Sequence, residues 1–124
     1  MIQRMIIIGL SVLVITSLAF SQKKKTSTII GDIVDIKSYV MYKIIPNTPD
    51  LKSTVEANIA SGYPLGIVQS KTGTIYLVVT ENQQENANAR LKDYLGMHVY
   101  VKGQIYQKGK IQLIVLSDIG KSIK

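Results

Sequence analysis

The stretch Leu65-Gly66-Ile67-Val68-Gln69-Ser70-Lys71-Thr72-Gly73-Thr74-Ile75-Tyr76-Leu77-Val78-Val79-Thr80 decides what kind of fold this chain can form. Two short runs rich in β-branched and aromatic residues flank Lys71-Thr72-Gly73, and Gly73 supplies the backbone freedom that a tight hairpin needs. The pattern predicts a second strand over 65–69, a turn, and a third strand over 74–80.

Reading towards the N-terminus, Tyr63-Pro64 and Gly62 close off a short helix predicted over 50–60. Thr48 or Asp50 can cap it, and Leu51, Val55 and Ile59 recur on one face. Pro46-Asn47-Thr48-Pro49 stops whatever comes before, because proline removes a ladder donor and asparagine favours turns. Before it, Ile29, Ile30, Ile33, Val34 and Ile36 interleave with Gly31, Asp32 and Asp35. Tyr39, Val40, Tyr42, Ile44 and Ile45 continue the β-rich composition. One long first strand from Thr28 is expected, bent or bulged near Gly31 or Lys37-Ser38.

Towards the C-terminus, the polar run 81–88 ends the third strand, and Asn86 or Asn88 can cap a helix over 89–95 closed by Gly96. A fourth strand over 97–107 alternates Val99, Val101 and Ile105 with polar residues and holds Gly103 where a bulge would let it curve. Lys108-Gly109 turns it into a fifth strand over 110–116. This order predicts a mainly β domain: a five-stranded OB-fold-like Greek-key barrel, with one short helix between strands 1 and 2 and another between strands 3 and 4.

The first 21 residues read differently. Arg4 precedes an uncharged apolar run from Met5 to Phe20, and Ala19-Phe20-Ser21 places small residues where a signal peptidase cuts. The run is short for a membrane span and is interrupted by Ser11, Thr16 and Ser17. A cleaved signal peptide over 1–21 is expected, with no stable membrane span afterwards and a periplasmic or secreted destination. Residues 22–27, with Lys23-Lys24-Lys25, form a basic lead-in, 28–119 the domain and 120–124 a tail. Removing the leader takes away one charge, Arg4, from the +7 of the 124-residue chain. The lysines that remain are scattered, which fits a basic solvated surface. There is no cysteine, so the domain holds together by its core alone and offers no thiolate.

Several short elements carry a resemblance: Gly31-Asp32-Ile33-Val34-Asp35, Gly62-Tyr63-Pro64-Leu65-Gly66, Gly73-Thr74-Ile75-Tyr76-Leu77, Leu91-Lys92-Asp93-Tyr94-Leu95-Gly96 and Val99-Tyr100-Val101-Lys102-Gly103. In this order they resemble a family of small bacterial periplasmic OB-fold-like proteins. The resemblance implies that better-equipped members carry cysteine and histidine at positions that here are Ser38, Leu51, Thr54 and Asn58. None of these four offers thiolate or imidazole to a transition metal, so neither metal site nor cofactor is expected.

Catalytic signatures are equally scarce. His98 has neither a cysteine nor a second histidine to work with and reads as an ordinary strand residue. Asp32 and Asp35, three apart on one strand, face opposite sides and cannot act as a pair. There is no Walker loop and no Gly-x-Ser-x-Gly. A non-enzymatic binding or interaction module is therefore expected, with a small ligand or protein partner at a rim of Tyr39, Tyr42, Lys43, Asn58 and Tyr63. Two alternatives stand beside it. A binder of single-stranded nucleic acid or another anionic polymer would use Tyr39, Tyr42, Tyr63, Tyr76, Tyr100 and Tyr106 among Lys37, Lys43, Lys71 and Lys102, although export argues against nucleic acid. A divergent metal-handling protein would use Ser38, Asp50, Thr54, Glu56 and Asn58.

Overall fold

Alternation along β1 (Thr26–Asp35) turns Ile29, Gly31, Ile33 and Asp35 inward and leaves Thr28, Ile30 and Asp32 on the outer face. The computed structural model describes residues 25–82 and 85–123. The signal peptide expected over 1–21 lies outside the described residues. β1 opens at Thr26 and the last strand ends at Lys121, each two residues beyond the 28–119 span.

The chain continues through α1 (Ile36–Tyr42), α2 (Pro49–Ala60), β2 (Leu65–Gln69), β3 (Ile75–Val79) and α3 (Ala87–Leu91). A single 3-10 turn (Lys92–Tyr94) then leads to β4 (His98–Lys108) and β5 (Ile111–Lys121). Each strand has two neighbours, in the order β1-β2-β3-β5-β4 and back to β1, so the sheet closes on itself. Four of the pairings are antiparallel, and β3 runs parallel to β5.

The closure depends on β1 changing partners. Its first part pairs with β4 and its last part with β2, and Gly31 and Asp32 are paired on both edges at once. A Cβ on Gly31 would fall onto the carbonyl oxygen of Val68, so only glycine lets β2 approach this closely. A second close approach accompanies the register shift at Lys102/Gly103, the bulge expected in the fourth strand. Inside the sheet lie Ile33, Leu65, Ile67, Val99, Val101 and Ile114, joined by Val55 of α2 and by Leu91 and Leu95 from the segment between β3 and β4.

The hairpin is found where the sequence puts it, and Gly73 has φ +72°. The expected long first strand is corrected. After Asp35 the chain turns into α1, because Asp35 caps that helix by accepting from Ser38 N at 2.9 Å, and the strand has no further pairing on β2 beyond Leu65. Lys43 ends α1 in the left-handed region, φ 56°.

α2 is capped by Thr48 with Pro49 in its first turn. On its expected inner face, Val55 is fully buried while Leu51 and Ile59 are half-buried. The expectation of a mainly β, OB-fold-like Greek-key barrel with one helix between strands 1 and 2 is corrected in its class and in its helix count. Among the described residues the domain is a small mixed α/β unit: a five-stranded sheet of mixed direction with three short α-helices, two of them between β1 and β2.

Candidate functional site

Asp32 and His98 are direct cross-strand partners in the β1–β4 ladder, which sets their side chains next to each other on the outer face. His98 Nδ1 lies 3.6 Å from Asp32 Oδ1. On the other side of the imidazole, Ser70 Oγ lies 3.4 Å from His98 Nε2. With the proton on Nδ1, facing the carboxylate, Nε2 is left as an acceptor for the Ser70 hydroxyl.

Three neighbouring strands deliver this row. Ser70 leaves β2 with its N–H donating to Ile30 O at 3.0 Å, and the hairpin behind it is tied by Gly73 N donating to Gln69 O at 2.9 Å. Ser122 N donates to His98 O at 2.9 Å, which fixes the first residue of β4 against the end of the chain. The row opens into a cavity of about 420 Å³ lined by Thr28, Ile30, Gln69, Ser70, Lys71, His98 and Ser122. The lining contains one ammonium, one imidazole, three hydroxyls and no carboxylate.

A larger cleft of about 470 Å³ lies between the start of β2 and the segment after β3. Its polar groups are already engaged. Asn88 donates to Tyr63 O and accepts from Leu65 N, Asn86 caps α3, and Thr80 Oγ1 donates to Glu85 O at 2.6 Å. The His98 cavity instead brings an imidazole, an ammonium and hydroxyls to one lining.

The residues singled out from sequence sit elsewhere. Asn58 Nδ2 donates to Asp35 Oδ2 at 2.9 Å and to Ser38 Oγ at 2.8 Å, forming an internal polar joint between α1 and α2. Tyr63 lies beneath the Lys37 ammonium, 4.5 Å from its ring centre. Tyr42 and Lys43 are exposed at the end of α1, and Tyr39 is half-buried.

The two alternatives meet structural obstacles. Tyr76, the one tyrosine on β3, is 8% exposed and belongs to the core, so it cannot stack on a base. Of the oxygen and nitrogen donors proposed for a metal, Ser38 is buried and hydrogen-bonded to Asn58, whereas Asp50, Thr54 and Glu56 face solvent. Among the described residues no group of three or more His, Asp or Glu side chains converges as a metal site.

Sequence reasoning passed over Asp32, Ser70 and His98 because it looked for a cysteine or a second histidine beside His98. The usable signal was the outward phase of Asp32 on β1 together with a histidine opening another strand.

No family model matches the chain, and no curated protein or solved structure is similar enough to match it. Nothing in these comparisons supports the periplasmic family resemblance. The OB-fold binding module expected from the sequence is not what the findings describe; they describe a small mixed α/β domain. Among the described residues no helix is long and apolar enough to cross a membrane.

Proposed function

We propose that the domain receives a small acidic molecule, carrying a carboxylate or a phosphate, in the His98 cavity. The observation that supports this is the lining: Lys71, His98 and the hydroxyls of Thr28, Ser70 and Ser122 surround a space of about 420 Å³, and the Asp32 carboxylate beside His98 is not part of that lining. Such a volume suits a metabolite-sized ligand, and a few convergent donors suffice to orient it. The chain stays net positive after Arg4 is removed with the leader, which favours the approach of an anion. Asp32 stands behind His98 and supports its orientation.

Two-dimensional NMR of the protein titrated with succinate and with inorganic phosphate tests this. Saturable shifts confined to Thr28, Ser70, Lys71 and His98, weakened about tenfold in Lys71→Met, are expected for loss of a charge-assisted contact. Shifts spread evenly over the other lysines would remove the proposal.

Residues 1–21 support a destination outside the cytoplasm, on their sequence alone. Mass spectrometry of the protein recovered from its native cell should give an N-terminus at Gln22. An intact Met1 form would remove that part.

A further inference from the structure

We infer that Ser70 is a nucleophile and that the site cleaves an ester of an acidic acyl group, with His98 as general base and Asp32 as the positioning residue. This rests on the ligand class just proposed for the same cavity. The groups stand in line: Ser70 Oγ 3.4 Å from His98 Nε2, and His98 Nδ1 3.6 Å from Asp32 Oδ1. These distances are longer than those of a working hydrogen-bonded relay, as is common before substrate tightens such a site.

The arrangement has the parts that nucleophilic catalysis requires: a hydroxyl, a base within reach of its proton, and a group that fixes the base's tautomer. The Ser70 N–H is used by Ile30 O, so it cannot serve a developing oxyanion. Lys71, the next residue along the same cavity wall, is the group that can offer positive charge there.

In the first step the Ser70 Oγ–acyl carbon bond forms while the hydroxyl proton passes to His98 Nε2. The ester C–O bond then breaks, and the departing alcohol takes that proton. In the second step water gives a proton to His98 Nε2 as its oxygen adds to the acyl carbon, and the Ser70 oxygen leaves and recovers the proton. The products are the alcohol and the free acid, with no change of oxidation state. Asp32 keeps the imidazole in one tautomer throughout and transfers no proton.

The test uses 4-nitrophenyl hydrogen succinate as substrate and a fluorophosphonate probe as covalent reporter, with the modified residue located by mass spectrometry. Label on Ser70 and a nitrophenolate burst are expected, both lost in Ser70→Ala. His98→Gln should lower the acylation rate at least about 100-fold, the usual contribution of a general base. Asp32→Asn should lower that rate about tenfold or more while succinate affinity by NMR is unchanged, a split that mere loss of structure would not produce.

Absence of a Ser70-dependent burst and label overturns the inference. If succinate still binds at the cavity, catalysis alone has failed. If succinate does not bind either, the ligand proposal has failed with it.

Discussion

Asn58 stands 23 residues after Asp35 in the chain and 2.9 Å from it in space, its Nδ2 donating to Oδ2 of a carboxylate that is completely buried. The other oxygen of Asp35 caps α1 through Ser38 N. One side chain thus starts the first helix and holds the second against it. Asp35→Ala is expected to cost about 2–3 kcal/mol, because a cap is lost and the Asn58 amide keeps only its bond to Ser38. Urea unfolding of the variant should show a lower midpoint with α1 affected first by hydrogen exchange.

Tyr100 stands opposite Gly120 in the β4–β5 ladder and reaches diagonally to Asp118, its phenol donating to Oδ2 at 3.2 Å. The charge of Asp118 is the main reason that the phenol of Tyr100 titrates above its usual value of 10.0; loss of hydration and the hydrogen bond act in the same direction. The folded chain therefore holds this proton more tightly than the unfolded chain. Stability linked to Tyr100 is complete below pH of about 10 and is lost as pH rises through the folded value. Urea midpoints measured from pH 9 upward should fall less steeply in Tyr100→Phe than in the parent protein. In Asp118→Asn, one tyrosine should ionise earlier in an absorbance titration.

Gly31 leaves no room for a side chain against the Val68 carbonyl. Gly31→Ala should therefore cost about 1–3 kcal/mol or more, as overpacking does, and the strain falls on both seams of β1. Thermal unfolding measures this directly. A change at Gly62, where an added Cβ would meet nothing within 4 Å, tests backbone conformation alone, since its φ is +91°.

α3 is five residues long and too short to be stable by itself. Leu91 anchors it from a fully buried position, four residues after the buried Ala87. Leu91→Ala should cost about 2–5 kcal/mol, with the amides of α3 and the following 3-10 turn losing protection before those of β4. Equal loss of protection throughout the sheet would contradict this division.

The parts of the fold that were legible are those whose cause is local. Lys71-Thr72-Gly73 between two β-branched runs specifies its own turn, Thr48-Pro49 marks the start of α2, and Gly103 marks a bulge. The α1 segment Ile36–Tyr42 was hidden because its composition favours a strand. Its helical state depends on a single aspartate cap and on what lies across from it.

The candidate site was hidden for a different reason. Ser70 and His98 are 28 residues apart, and they meet only because β1 is registered against β2 on one side and β4 on the other. Local sequence shows that Asp32 points outward. It does not show which residue of which strand stands opposite.

The double pairing of Gly31 and Asp32 also bears on how a gene for this domain can change. Deleting one codon within β1 would reverse the inward and outward phase of every residue beyond the cut and re-phase two ladders at once. No compensating slip on one edge can restore the other. Lineages descending from this chain are thus expected to gain and lose residues at the hairpin tip around 71–73 or between α1 and α2, while β1 changes only by replacement at fixed length. A library of single-codon deletions, sorted for folded protein, would display that contrast as an empty interval over residues 29–34.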